Sequence, residues 1–426
     1  MKKLVVVLLL MVVVSVIFLT QLPQPAIAEV KSGKQRINLP DISPDDQALL
    51  VEGNTAFAFK LYQELVKANE DNLFYSPYSV SLALAMAYAG AKGGTTQQMA
   101  DTLEFLLDPE KLHPAFNWLD TVLASRGKGA QGKDEKGFRL NIVNAIWGQK
   151  DYEFLSTFLD VLAENYGAGL KILDFVTETE RSRQTINKWV SDQTEGRIKD
   201  LIPQGAISPL TRLVLTNAIY FNAAWARPFD EKHTADGIFY LLDGEEVTVS
   251  MMKQTEMFGY AEGQGYQAVE LPYDGSELSM VILLPASSKF EAFEKEFQAE
   301  KVTSIISALQ PTRVTLTMPQ FKFESQFGLK DTLAQMGMPI AFSPDEADFS
   351  GMIGKRELFI SDVVHKSFVA VDEKGTEAAA ATAVVVGVTS ADPPVEVTVD
   401  RPFIFVIRDI ETGAVLFVGR VLNPAA

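Results

Sequence analysis

Residues 371–390 read VDEKGTEAAAATAVVVGVTS. From Gly375 to Ala383 no side chain is bulky, and Glu377 is the only charge. Alanine favours helix, whereas the run Val384, Val385, Val386 favours strand. Pro393 and Pro394 then break any regular element. Two local readings stand: a short helix leading into a strand, or an extended segment whose slimness serves a purpose.

Working outward, the flanking pattern is that of strands. Leu213–Phe221 and Leu278–Leu284 are apolar runs of strand length. Val314, Leu316 and Met318 alternate with Arg313, Thr315 and Thr317, so one face of that strand covers a core. Phe403–Ile407 and Val415–Val418 form a strand pair with Thr412-Gly413 at the turn. Further back, helical spacing takes over. Phe57, Leu61 and Leu65 place a helix at about 54–68. Ser76-Pro77 opens a second helix, which Gly90 ends, with an all-round apolar run from Val80 to Ala89 that must be buried. Thr95 with Gln98 reads as a capping box for a third helix. Phe154, Leu155, Phe158, Leu159 and Leu162 give another amphipathic helix, after a polar Gly/Lys-rich loop at 127–137. Helices dominate the first half and strands the second, which predicts α+β with a large sheet. There is no repeat and no clear linker, so one domain is expected over 47–426, preceded by a polar segment at 29–46.

Several blocks in this order carry a specific resemblance. They are Asn72-Leu73-Phe74-Tyr75-Ser76-Pro77-Tyr78-Ser79, Thr216-Asn217-Ala218-Ile219-Tyr220-Phe221-Asn222 with Trp225, and Val364-His365-Lys366. The closing runs are Asp400-Arg401-Pro402-Phe403-Ile404-Phe405 and Phe417-Val418-Gly419-Arg420-Val421-Leu422-Asn423-Pro424. Together with the opening stretch they resemble the serpins, the serine protease inhibitor family, from about residue 54 to the C-terminus. The resemblance implies a large mixed central sheet, additional sheets, eight or nine helices and an exposed reactive-centre loop at about 373–394. Glu373, Lys374, Gly375, Thr376, Glu377, Ala378, Ala379, Ala380, Ala381 and Thr382 look like the hinge of inhibitory members. In that mechanism a protease cuts the loop, and the loop inserts as a new strand of the main sheet while still carrying the acyl-enzyme.

Insertion can be checked against the residues. Alternate side chains of a strand face the core. Steps of two from Thr376 give Thr376, Ala378, Ala380, Thr382, Val384 and Val386, none of them charged. Glu377 falls on the other face, where it stays wet; a buried unpaired carboxylate would cost several kcal/mol. About fifteen inserted residues at ~3.3 Å each span on the order of 50 Å. The usual spacing in inhibitory members puts the cut after the seventeenth residue counted from Glu373, which is Thr389, with Ser390 on the leaving side. A loop one residue shorter gives Val388-Thr389. Small, β-branched residues suit a shallow apolar pocket, so the expected target is an elastase-like or subtilisin-like serine protease. The alternative is a noninhibitory binding or chaperone protein of the same fold. Members of that kind tend to carry charged or bulky hinge residues.

The resemblance also implies a buried polar cluster, the shutter, at Ser76, Ser79, Asn217 and His365, and a breach residue at Trp225. No enzyme is expected. There is no G-x-S-x-G elbow, and Ser125-Arg126-Gly127-Lys128 matches S-x-x-K only in a loop without its companion K-T-G. No cofactor or metal is expected either. The chain has no cysteine, three histidines (His113, His233, His365) and no H-E-x-x-H.

The remaining expectations come from the ends and the totals. Lys2 and Lys3, the apolar run Leu4–Leu19 and the small-x-small triplet Ala26-Ile27-Ala28 read as a signal peptide over 1–28, cleaved after Ala28. The competing reading is an uncleaved anchor. Cleavage predicts a secreted protein, extracellular or periplasmic, that is not membrane-embedded and is a monomer. The 426 residues are 47 % hydrophobic and 22 % charged, enough for a large core, and carry net charge −17. Removing 1–28 takes two lysines and no acid, leaving about −19. Such a chain has no general attraction for nucleic acid or anionic membrane. Met99–Asp120 holds one lysine and no arginine, so no heparin-type activator is expected.

Overall fold

A computed structural model describes residues 27–130, 138–376 and 393–426. In chain order the elements are β1 (Ala28–Val30), α1 (Pro44–Ala68), β2 (Leu73–Tyr75), α2 (Pro77–Tyr88), α3 (Gly93–Leu103), α4 (Pro109–Ala124), β3 (Arg139–Gln149), α5 (Ser156–Tyr166), β4 (Leu170–Leu173) and α6 (Thr179–Gln193). Then come β5 (Leu213–Ala224), β6 (Ala235–Tyr240), β7 (Glu246–Gly263), β8 (Tyr266–Pro272), β9 (Leu278–Pro285), α7 (Phe290–Lys295) and α8 (Ala299–Ser307). The chain closes with β10 (Gln310–Pro319), β11 (Phe321–Gly328), α9 (Lys330–Met336), α10 (Ser350–Ile353), β12 (Ile360–Asp372), β13 (Gly375–Thr376), β14 (Val395–Thr398), β15 (Phe403–Asp409) and β16 (Val415–Val421).

Two sheets organise these elements. The seven-stranded sheet runs β1-β4-β3-β5-β13-β12-β11. The nine-stranded sheet runs β14-β10-β7-β8-β9-β15-β16-β2, with β6 on the far side of β7. The mixed α+β architecture is the one expected, with ten α-helices among the described residues, three of them of seven residues or fewer. β5 is buried along all but its last residue, because both of its faces are covered. The main core lies on one face. On the other, Ile186 and Val190 of α6 pack with Trp147, Val214, Ala218 and Val364 in a second cluster. Without disulfides, packing carries the fold; each fully buried Phe such as Phe57 or Phe116 contributes about 1.5–3 kcal/mol.

Helix α2 forms for the reasons its sequence gives. The Ser76 hydroxyl accepts the Ser79 N–H at 3.2 Å, Pro77 fills the first turn, and every residue of the helix is buried. Three expectations need correction. The first helix begins at Pro44, ten residues before Asn54, with Ser43 as its cap and Asp45 and Asp46 in its first turn. Thr95 and Gln98 do not make a capping box. Both lie inside α3 and turn outward to another segment, Thr95 accepting the Asp348 N–H and Gln98 the Ile340 N–H. Phe154 and Leu155 precede α5, which starts at Ser156 because the Leu155 N–H is drawn to the Met352 carbonyl. Where the polar segment 29–46 begins, Glu29 and Val30 of β1 pair antiparallel with Lys171 and Leu170 of β4.

Candidate functional site

The centre of the seven-stranded sheet is built from two long parallel neighbours that do not stay together. β5 and β12 pair from Leu213–Ile360 up to Ile219–Ser367. Above that point β13 lies between them. Its Gly375 and Thr376 pair antiparallel with Ala224 and Ala223 on one side and with Asp372 and Val371 on the other. The chain therefore climbs β12, turns at Glu373-Lys374, and starts down the gap between β12 and β5.

The turn is held from several directions. The Glu373 carboxylate accepts from the Thr234 hydroxyl at 2.5 Å and the Gln320 amide at 2.7 Å, and its carbonyl accepts the Phe229 N–H at 2.7 Å. The Lys374 carbonyl accepts the Trp225 N–H at 2.9 Å, and its ammonium lies 3.1 Å from Glu231. The Trp225 indole N–H donates to the Asp372 carbonyl at 3.0 Å, so Trp225 braces the top of the gap. Gly375 has φ +146°, and a Cβ there would stand 2.2 Å from the Ala223 carbonyl oxygen; only glycine fits. Thr376 is 1 % exposed, its hydroxyl 2.9 Å from that of Tyr273. The Tyr273 ring stacks on Trp225 at 4.7 Å and meets Phe221 edge-on. The alternation that begins at Thr376 thus begins on a core-facing side chain. Glu377 to Thr382, Val388, Thr389 and Ser390 lie outside the described residues.

Lower in the sheet, Ser76, Ser79, Asn217 and His365 come together, all fully buried. His365 on β12 and Asn217 on β5 are direct register partners. The His365 Nε2 accepts the Ser76 backbone N–H at 3.2 Å, which leaves Nδ1–H to donate to Asn217 Oδ1. Burial pushes His365 down from 6.5 to about 3, so the ring is neutral, as this hydrogen bonding requires. The Asn217 amide donates to Ser79 Oγ and to Asn144 Oδ1, each at 2.5 Å, and the Asn144 amide donates to the Ser79 carbonyl at 3.1 Å. Asn144 on β3 is a member that sequence reading missed. Its signal is weak, because β3 also carries Arg139, Asn141 and Gln149, until the β3–β5 register places Asn144 opposite Asn217. The cluster ties β3, β5 and β12 to the start of α2, at the point through which a strand descending from β13 would have to pass.

Little else is poised for chemistry. His113 bonds the Tyr166 hydroxyl at 2.7 Å, and the Ser125 hydroxyl is spent on the Val122 carbonyl. Among the described residues no cluster of three or more His, Asp or Glu side chains could hold a metal. The one strand the gap holds among the described residues is β13.

Residues 52–424 match the family model described as serpin (serine protease inhibitor). The chain belongs to the serpin family. It is 41 % identical to the leukocyte elastase inhibitor of Xenopus laevis over 87 % of this chain and 98 % of that one. It is 38 % identical to antithrombin-III of Homo sapiens over 94 % and 87 %. Among solved structures it is similar to the thermophilic serpin tengpin in the native state, with a TM-score of 0.80 and 29 % identity over 93 % of this chain and 99 % of that one. Within the serpin fold of this chain, β13 occupies the top of the gap between β5 and β12.

Proposed function

We propose that this serpin is a single-use inhibitor of a serine protease. The observation that carries the reading is β13: two residues of the hinge descend antiparallel between β5 and β12, with Thr376 facing the core. In this reading the protease attacks Thr389-Ser390, or Val388-Thr389, as substrate. The freed hinge then continues down the track that β13 begins, parting β5 from β12 through the Asn217–His365 pair. The attached acyl-enzyme is carried to the other end of the sheet and distorted. The chain contributes no catalytic residue and is consumed with its target. A small residue at the cut supports an elastase-like or subtilisin-like target, and the relatives named elastase inhibitor point the same way. The signal-like residues 1–28 support secretion as a monomeric domain. Cleavage after Ala28 leaves Glu29 and Val30 to keep the edge pairing with Lys171 and Leu170.

The test is to mix the mature protein with a pancreatic-type elastase and, separately, a subtilisin. A complex that survives SDS denaturation is expected, with a new N-terminus at Ser390 by mass spectrometry. Cutting without a complex would replace this reading with the noninhibitory one, and turnover of a substrate by the chain alone would make it an enzyme.

A further inference from the structure

A second surface lies away from the gap, along β6. This strand pairs with β7 alone, from Ala235–Met251 to Tyr240–Glu246. Across the hairpin the Leu241 N–H donates to the Glu245 carbonyl at 2.8 Å. Backbone groups alternate in an antiparallel pair. Gly237 and Phe239 therefore bond to β7, while Asp236, Ile238 and Tyr240 turn their backbone groups to the open edge. The Tyr240 N–H is taken there by the Asp400 carbonyl at 2.8 Å; those of Asp236 and Ile238 have no partner among the described residues. Exposed edges are normally blunted by lysine, proline or a bulge. β6 has none of the three.

The side chains along this edge are apolar as well as open. Ile238 and Tyr240 are each 45 % exposed, and Leu242 in the turn is 50 % exposed. Tyr240 and Leu242 also wall a cavity of about 610 Å³, together with Leu241, Pro285, Phe290 and Pro402 among others. Contiguous apolar surface of this kind marks an interaction site. Exposed carboxylates surround it: Asp236, Asp243, Glu245, Glu246 and Glu291, none of them in an ion pair. The cations nearby are Lys232 before the strand, Lys289, and Arg401, which Asp400 holds at 2.7 Å. A second copy of the chain would bring the same acids against these, and juxtaposed like charges repel. We propose that the β6 edge binds an extended, cationic segment of a partner protein by strand addition. Its apolar residues lie over Ile238 and Tyr240, and its lysines or arginines face the acids. Main-chain bonds to Asp236 and Ile238 supply affinity, and the charge selects the partner.

Fluorescence anisotropy of labelled peptides titrated with the full chain tests this. The probes are a heptapeptide of alternating lysine and valine, its glutamate counterpart, and the lysine peptide with two adjacent central amides N-methylated, which blocks both of its edges. Saturable binding of the lysine peptide at one site per chain is expected, weakened by salt, with the glutamate peptide at least about tenfold weaker. Ile238→Lys and Glu246→Lys, both at exposed positions, should each weaken binding about tenfold. No saturable binding, or equal affinity for the two charge types, overturns the proposal. So does unchanged affinity in both variants, which would put the peptide elsewhere. Undiminished binding of the N-methylated peptide would rule out strand addition. A dimer seen by sedimentation and dissolved by Ile238→Lys would give the edge to a second copy instead.

Discussion

Gly375 and Thr376 sit side by side under opposite constraints. Gly375 must have no side chain, because the Ala223 carbonyl occupies the place of its Cβ. Thr376 must have one that is small and can bond the buried Tyr273 hydroxyl. Thr376→Arg would force a guanidinium into a position that is 1 % exposed. The several kcal/mol this costs should slow insertion more than about a hundredfold, turning the protein from inhibitor into substrate. Elastase would then cut the variant with no SDS-stable complex; undiminished trapping would mean that insertion does not start at Thr376. His365 makes a different prediction. Its folded value of about 3 lies below its ordinary 6.5, so its contribution to stability is complete above pH 6.5 and is lost as pH falls toward 3. His113, pushed down to about 4 by burial, acts with the same sign. Asp362, pushed up by burial, acts against them. Between pH 7 and 5, His365 should remove on the order of 2 kcal/mol. The urea midpoint should fall over that range, and less steeply in His365→Gln. An identical slope in the variant would show that another group drives it.

At the scale of elements, the polar cluster is a clasp between strands that would separate in the proposed mechanism. Its members lie on β3, β5, β12 and the start of α2, so parting β5 from β12 breaks the His365–Asn217 bond. Asn144→Ala would deprive the Asn217 amide of one acceptor and the Ser79 carbonyl of one donor. Leaving buried groups unsatisfied costs about 1–3 kcal/mol, and under the proposed mechanism the loss falls on the uncut form. Stored at 37 °C, Asn144→Ala should lose inhibitory activity several-fold faster than the parent; equal decay rates would remove Asn144 from the clasp. The same scale explains what could be read in advance. Ser76-Pro77 announced α2 because the cap and first turn are local chemistry. Thr95 and Gln98 carried an equally local signature, but each side chain found a backbone N–H more than two hundred residues away. Pro44–Gly53 was missed because its early turns are largely solvent-facing and show little apolar periodicity, although Ser43, Pro44, Asp45 and Asp46 hold a complete start signal. The hinge was expected only through its resemblance to inhibitory serpins, since composition left helix and extended readings open, and its point of entry depends on where β5 and β12 stop pairing.

For the whole molecule, the state with β13 alone between β5 and β12 leaves the sheet short of ladder. Below Thr376 the strands must zip directly to each other, in parallel, and their pairing ends at Ile219–Ser367. A longer central strand, antiparallel to both neighbours, would exchange one parallel ladder for two antiparallel ones, which are slightly more stable per residue. It would also bury Ala378, Ala380, Thr382, Val384 and Val386 on the core face. At roughly 25 cal/mol per Å² of apolar surface, this is a gain of several kcal/mol before the added hydrogen bonds are counted. In the proposed mechanism, tethering at Thr376 and at Val395 on β14, in separate sheets, hinders the uncut loop from collecting it. One cut releases the tether. The cleaved chain should therefore unfold at a higher temperature than the uncut chain, by about 1 °C for each kcal/mol gained in a chain of this size, so by several degrees. Calorimetry before and after limited elastase digestion measures the difference directly. An unchanged transition in a chain shown by mass spectrometry to be cut once, near Thr389, would mean that the two ends of the loop store nothing between them.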